Sequence, residues 1–80
     1  MLFNVIRGYG LSTFSFSQLI SSVGERTRIH EAHYNDGDFK IRMHDDCTLE
    51  YDDLLEIIHD CAIDFDTHGI SYEYEKDNDY

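Results

Sequence analysis

The hydrophobic residues of this chain repeat with two periods, one typical of strands and one typical of helices. Five short segments alternate between apolar and polar residues, which predicts β-strands because successive side chains of a strand point to opposite faces. These segments are residues 2–6, 28–34, 39–43, 47–51 and 70–74. Between the second and third lies Asn-Asp-Gly-Asp at positions 35–38, which tolerates positive φ and predicts a hairpin turn. Asp45 and Asp46 offer a second tight turn, so the middle three strands are expected to form an antiparallel meander.

Two further segments follow the helical period of 3.6 residues. The first, residues 16–23, has one apolar face. Ser15 and Gln18 have the spacing of a capping box, and Phe14 before them can pack back onto the helix as a hydrophobic staple. Gly24 is expected to end this helix as its C-cap.

The second predicted helix begins at Asp52 or Asp53 and ends at Gly69, with its apolar residues on one face. The resulting order is β-α-β-β-β-α-β, which indicates an α+β fold with both helices on one face of an antiparallel sheet. Residues 1–76 are expected to form one small domain, and residues 77–80 a frayed acidic C-terminal tail.

Charge divides the chain into two unequal halves. Thirteen of the seventeen carboxylates follow Met43 and face a single lysine, Lys76, whereas the residues up to Met43 carry four acids and five bases. The net charge is -11. A field of one sign attracts cationic partners and repels nucleic acids and anionic membranes. The composition therefore favours a protein that binds a basic partner.

The acidic residues of the second predicted helix are the first candidates for a binding surface. Four of them lie within about 80° on one side of the helix, spaced about 5 Å apart along its axis. That spacing is of the same order as the charge spacing of about 3.4 Å along one strand of B-DNA. These four residues are Asp53, Glu56, Asp60 and Asp64. A surface helix also needs a polar face without any partner, so solvation explains the same pattern.

Three more carboxylates, Glu50, Glu73 and Glu75, add charge of the same sign. Because an ordinary solvated surface mixes both signs, we predict that all seven acids bind a cationic partner. Tyrosines are frequent anchors at protein interfaces, although packing on a sheet also explains tyrosines on a strand. This half of the chain offers Tyr51, Tyr72, Tyr74 and Tyr80.

A short, strongly acidic, cysteine-poor chain of mixed α/β pattern resembles the phage-encoded anti-defence proteins, above all anti-CRISPR and anti-restriction inhibitors. The resemblance covers the general character of the chain and no motif, so no functional residue is carried over from it. It implies a DNA mimic that inhibits a CRISPR effector or a similar bacterial defence complex by occupying its DNA- or RNA-binding surface. An immunity-type inhibitor of a basic nuclease toxin is the alternative, because such proteins also present an acidic face to a cationic site.

A calcium-binding loop in residues 64–75 is a less favoured alternative. Their sequence fits the EF-hand spacing of ligand positions except at His68, where an imidazole replaces an oxygen ligand. The motif also needs an exiting helix, whereas the residues after Gly69 alternate like a strand.

Histidines and cysteines follow no recognisable catalytic or metal-binding pattern. His30 and His33 are three residues apart on a predicted strand, so their side chains are expected on opposite faces. Cys47 and Cys61 lack the spacing of a redox or zinc motif and are expected to be reduced thiols. Since no nucleophile motif or phosphate loop is present either, we expect no enzyme activity, no cofactor and no metal site.

The compartment and the assembly state are inferred from the N-terminal half. Its first apolar stretch is broken at Arg7, far short of a signal peptide or a spanning segment. We therefore expect a cytoplasmic protein that binds neither nucleic acid nor a membrane directly. Because like charges repel across a symmetric interface, it is expected to be a monomer, or a dimer through the nearly neutral half before Met43.

Overall fold

A computed structural model describes residues 2–44 and 46–76. It contains a four-stranded antiparallel sheet and two helices in the order β-α-β-β-α-β, so the predicted α+β class is confirmed. The elements are β1 (Leu2–Gly8), α1 (Thr13–Arg26), β2 (Ile29–Asn35), β3 (Asp38–Met43), α2 (Tyr51–Asp60) and β4 (Ser71–Lys76). Among the described residues, no helix is long and apolar enough to cross a membrane.

The strands lie in the spatial order β2-β3-β1-β4, so β1 is central and β4 is an edge strand. Ile6 of β1 is paired with Ile41 of β3 on one side and with Tyr72 of β4 on the other. The predicted hairpin joins β2 to β3 through Asp36 and Gly37, which have φ of 51° and 96°. Positive φ at both positions matches the twist of a two-residue hairpin, so this prediction is confirmed.

One face of the sheet packs against both helices and forms the main core. Alternate strand residues point into it, because side chains of a strand alternate between faces. Helices α1 and α2 contribute the apolar faces that cover these residues. The core consists chiefly of Ile6, Phe39, Ile41 and Met43 from the sheet with Leu19, Val23, Leu54, Ile57 and Ile58 from the helices.

The other face of the sheet, called here the open face, carries alternating apolar and charged residues. Phe3 and Val5 of β1 lie on it, and they are only 4% and 0% exposed. Long charged side chains from the neighbouring strands surround them. These charged residues are Arg7, Glu31, Lys40, Arg42, Glu73 and Glu75.

The predicted third strand of the meander is wrong, because residues 47–50 lead directly into α2. Side chains form hydrogen bonds with the backbone N–H and C=O groups that would otherwise pair with a neighbouring strand. The Tyr72 hydroxyl donates to the Leu49 carbonyl at 2.6 Å, and the Leu49 N–H donates to the Cys47 sulfur at 3.4 Å. The Glu50 N–H donates to the carboxylate of Asp53 at 3.0 Å, which caps α2. Asp45, in the second predicted turn, lies outside the described residues.

Helix α1 begins earlier and ends later than its sequence predicts. Its N-cap is Ser12, whose hydroxyl accepts a hydrogen bond from the Ser15 N–H at 3.1 Å, so the predicted capping box at Ser15 is wrong. Phe14 is 71% exposed and forms no staple. The helix continues through Gly24 to Arg26, because tertiary packing outweighs the helix penalty of about 1 kcal/mol for a glycine.

Helix α2 ends at Asp60, well before the predicted end at Gly69. Its last turn closes with a Schellman motif, in which the Ile63 N–H donates to the Ile58 carbonyl and the Ala62 N–H to the His59 carbonyl, both at 3.0 Å. Ala62 takes the left-handed conformation with φ of 57°, a position usually filled by glycine. Asp64 therefore lies beyond the helix. The predicted tail at residues 77–80 is outside the described residues.

Candidate functional site

Glu75, one of the seven predicted partner-binding acids, is bound by three cations on the open face. Its carboxylate accepts from the Lys40 ammonium at 2.7 Å, from the Arg7 guanidinium at 3.1 Å, and from the Arg42 guanidinium. The hydrogen bond from Lys40, with those from Arg42 and Arg7, lowers the pKa of Glu75 from 4.5 to about 2. Glu73, two residues earlier, forms a longer ion pair with Arg7 at 3.5 Å. Both acids are therefore neutralised within the fold.

The Glu75 ion-pair network covers the apolar residues of the open face. The guanidinium of Arg42 lies 5.1 Å above the ring of Phe3 and also pairs with Glu31 at 3.2 Å. Lysine and arginine stems cover apolar surface while their charged ends form ion pairs, which explains how Phe3 and Val5 are buried without a helix above them. The network is a structural part of the sheet.

Asp53 and Glu56 of the predicted stripe bind Arg26, the last residue of α1. The guanidinium lies 3.4 Å from the Asp53 carboxylate and 3.2 Å from that of Glu56. The two ion pairs join the C-terminal end of α1 to the first two turns of α2 at the surface. The sequence gives no signal for them, because Arg26 lies in the half of the chain that its composition makes nearly neutral.

Asp60 and Asp64 are exposed, and neither forms a salt bridge with lysine or arginine among the described residues. Asp60 ends α2, and its carboxylate lies 3.9 Å from Nδ1 of His59. Asp64 accepts hydrogen bonds from the backbone N–H groups of Thr67 and Asp66, each at 3.1 Å, and the bonds to Thr67 lower the pKa of Asp64. The predicted four-residue stripe on one helix is therefore wrong, because Asp64 belongs to the loop.

Three of the four tyrosines predicted as anchors meet beside the start of α2. Tyr51 comes from α2, and Tyr72 and Tyr74 come from the same face of β4. With Leu49 and Glu50 they line a cavity of about 390 Å³, called here the tyrosine cleft. Tyr51 is 49% exposed and Tyr74 is 69% exposed. Tyr80 lies outside the described residues.

Hydrogen bonds at Tyr72 hold the cleft in shape. Its hydroxyl donates to the Leu49 carbonyl at 2.6 Å and accepts from the Asn4 side-chain amide at 2.8 Å. Burial raises the pKa of Tyr72, so the hydroxyl stays protonated and keeps donating. The Tyr72 and Tyr74 rings have centroids 6.3 Å apart, within the range of an aromatic pair. The edge strand and the start of α2 are thereby fixed to each other.

Glu50 lines the cleft, and three further acids are chain neighbours of aromatic residues at or beside it. Asp52 follows Tyr51, and the loop after α2 reaches Tyr51 through Phe65, whose ring lies 6.1 Å from the Tyr51 ring. Asp64 and Asp66 stand on either side of Phe65 in the chain, with the Asp64 carboxylate turned into the loop, where it accepts from the Asp66 and Thr67 N–H groups. We call Glu50, Asp52, Asp64 and Asp66 the cleft acids.

In the part of the chain that the structure describes, the salt bridges of lysine and arginine go to carboxylates other than the cleft acids. All five bases of residues 2–43 form ion pairs with other carboxylates: Arg7, Lys40 and Arg42 on the open face, Arg26 with α2, and Arg28 with Asp46 at 2.9 Å. Within residues 2–44 and 46–76, no lysine or arginine forms a salt bridge with a cleft acid. Glu50 therefore brings to the cleft a carboxylate that has no lysine or arginine partner among the described residues. Sequence reasoning missed Asp52 and Asp66, whose only signal is their place beside Tyr51 and Phe65.

A larger groove of about 590 Å³ lies at the end of the open face, next to Arg7, Tyr9 and Lys40. Its two cations already bind Glu75, and Asp38 adds a carboxylate to the wall. This groove therefore has charges of both signs in its walls. We therefore place the candidate binding site at the smaller tyrosine cleft, where aromatic rings and unpaired acids coincide.

The local fold of residues 64–75 differs from that of an EF-hand. Residues 71–76 form β4, whereas the EF-hand motif requires a helix after its loop. Glu75, which would be the last calcium ligand, is bound by Lys40, Arg7 and Arg42. Over the described part of the chain, no three histidine, cysteine, aspartate or glutamate residues are grouped so as to hold a metal ion.

The prediction that His30 and His33 point to opposite faces is also wrong. A bulge between Ile29 and Glu31 shifts the register of β2 by one residue, which turns both histidines to the open face. His30 stacks on Phe3 with ring centroids 5.2 Å apart, and His33 is paired in register with Lys40. The two rings therefore take part in covering the open face.

Comparison of this chain with protein-family models, with curated proteins and with solved structures gave no match. Its function is therefore inferred from the geometry of its own residues.

Proposed function

We propose that this chain is a non-enzymatic acidic inhibitor. It acts in the bacterial cytoplasm and binds a nucleic-acid-handling protein, such as a CRISPR effector or another defence complex. The acidic surface around the tyrosine cleft occupies the cationic groove that otherwise receives DNA or RNA. The contact is made with protein, and neither nucleic acid nor a membrane binds to this surface.

The observation that supports this proposal is that some carboxylates form ion pairs with bases of the same chain and others do not. The bases of residues 2–43 neutralise the acids on the open face and beside α1, whereas the cleft acids have no such partner among the described residues. Grouping unpaired charges of one sign costs stability through repulsion, and a complementary cationic groove removes that cost on binding. Exposed tyrosines beside those charges supply the contact area typical of interface centres.

The proposed binding surface excludes part of the acidic stripe that was predicted from sequence. Asp53, Glu56, Glu73 and Glu75 serve ion pairs within the fold, and Asp64 also holds the loop. Reversing the charges of the four stripe residues would thus disturb folding as well as binding. Glu50, Asp52 and Asp66 form no salt bridge with lysine or arginine among the described residues, so removing their charges breaks no such ion pair.

The test is capture of partners from a nuclease-treated bacterial lysate by the tagged protein, read by mass spectrometry. The binding variant combines Glu50→Gln, Asp52→Asn and Asp66→Asn, which keep the side-chain shape. The matched control removes the same number of charges from exposed acids elsewhere, through Glu25→Gln, Asp36→Asn and Asp38→Asn. Asparagine suits the positive φ of position 36.

The native protein and the control variant are expected to retain the same nucleic-acid-binding protein, with added DNA displacing it. The binding variant is expected to retain it about tenfold less well, since three exposed charge contacts together contribute about 1.4 kcal/mol. Capture of a small basic nuclease alone would favour the immunity-type alternative. Equal retention by both variants, or no enrichment of any nucleic-acid binder, would contradict the proposal.

A further inference from the structure

We infer that the tyrosine cleft is a receptor for one arginine side chain of the partner. This inference rests on the proposed function and names the group that occupies the centre of its surface. The walls of the cleft are the rings of Tyr51, Tyr72 and Tyr74, and Glu50 supplies a carboxylate at its edge.

The aromatic walls suit a flat cation. The planes of Tyr72 and Tyr74 are tilted by only 32°, so the two rings form a nearly continuous surface along β4. Tyr51 also lines the cleft, and its ring makes an edge contact with the ring of Phe65 at an interplanar angle of 77°. Cations bind over the faces of such rings within about 6 Å of the ring centre. A cavity of about 390 Å³ is large enough for a guanidinium group and its stem.

The local charge also favours a cation, although the cleft lies at the start of a helix. The N-terminus of a helix carries about half a positive charge. Glu50 and Asp52 each carry a full negative charge there, and neither forms an ion pair with a base in the described part of the chain. These two charges outweigh the half charge of the helix dipole.

Arginine fits better than lysine because its guanidinium is planar. It stacks on an aromatic face and at the same time donates two parallel hydrogen bonds to a carboxylate. Glu50 at the edge of the cleft provides such a carboxylate. A lysine ammonium is more strongly hydrated and offers no flat surface for the rings.

The experiment titrates the full chain with N-acetyl-arginine amide and follows the tyrosine ring signals by NMR. The citrulline analogue, which has the same shape without the charge, and leucine amide serve as comparison probes. Tyr74→Ala removes one wall of the cleft. Tyr9→Ala is the matched control, because Tyr9 is a similarly exposed tyrosine, at 54%, in the larger groove.

Arginine amide is expected to bind in the millimolar range and to shift the Tyr51 and Tyr74 signals. Tyr74→Ala should weaken this binding about fivefold, and Tyr9→Ala should leave it unchanged. Equal shifts with citrulline or leucine would show a merely apolar cleft and overturn the inference, as would shifts centred on Tyr9. If arginine fails while loss of the cleft acids still abolishes capture of the partner, the inference falls and the proposed function stands.

Discussion

The open face of the sheet and the tyrosine cleft both combine aromatic rings with carboxylates, yet they differ in how these groups are partnered. On the open face, Phe3 is buried and Glu75 is bound by three cations. At the cleft, Tyr74 is exposed and the neighbouring acids lack such cations among the described residues. The difference indicates that the open face contributes to stability, and it is the reason why we propose the cleft as the region that binds a partner.

The largest expected effect compares two aromatic residues of neighbouring strands. Phe3→Ala should lower the free energy of unfolding by about 3 kcal/mol, because it empties the apolar layer beneath the ion pairs. Tyr74→Ala should lower it by less than about 1 kcal/mol, since that ring is mostly in water. Urea unfolding, monitored by circular dichroism, measures the loss of stability in both variants. Equal losses would mean that the two regions do not differ as described.

Glu75 and Glu73 offer a second comparison, on one face of one strand. Glu75→Gln should cost about 2 kcal/mol, because it leaves Lys40 and Arg42 partly buried beside a neutral group. Glu73→Gln should cost about 0.3 kcal/mol, as expected for a single exposed ion pair. The same unfolding measurement tests this prediction. A Glu73 variant as unstable as the Glu75 variant would contradict the central place of Glu75.

The pH dependence of stability should report the same network. The folded pKa of Glu75, about 2, is below its ordinary value of 4.5, so its contribution is present above about pH 4.5 and disappears as the pH falls toward 2. That shift corresponds to about 3 kcal/mol, which partial exposure reduces to about 2 kcal/mol. Between about pH 6 and pH 2.5, the native protein should lose this much more stability than Glu75→Gln. If the stability of the native protein and that of Glu75→Gln fell in parallel with pH, the prediction would be contradicted.

The smallest expected effect concerns the loop after α2, which places Phe65 against Tyr51. Ala62→Gly should raise the free energy of unfolding by about 0.5 to 1 kcal/mol, because glycine adopts the positive φ of this position without strain. Ala32→Gly, at an exposed position of β2, is the control and should be destabilising. Thermal unfolding of both variants gives the signs. A destabilising Ala62→Gly would show that the loop does not begin with this motif.

Local patterns in the sequence were sufficient for the fold class and for most elements. Period-two alternation predicted β2, β3 and β4, because it depends only on neighbouring residues. For the same reason, the Asn-Asp-Gly-Asp sequence predicted the hairpin between β2 and β3. The wrong strand at 47–51 has the same alternation. It fails because the Tyr72 hydroxyl, far along the chain, binds the Leu49 carbonyl and fixes that segment against the cleft.

The candidate site was predictable only in part, for the same physical reason. The sequence shows which residues are acidic, but it does not show which acids meet Arg26 or Lys40 in the fold. The apolar period of α2 also continues past Asp60 without a glycine or proline, so the early end of the helix at Asp60 has no sequence signal. The tyrosines of the acidic half and the predicted binding residue Glu50 pointed toward the cleft.

The most direct test maps where a cation binds when no partner is present. Hexaamminecobalt(III), a small inert trivalent cation, is titrated into the protein while the backbone amide signals are followed by NMR. Shifts concentrated at residues 50–52 and 64–67 are the result that the account predicts. Shifts centred on residues 73–75, or spread evenly over all acidic positions, would contradict it.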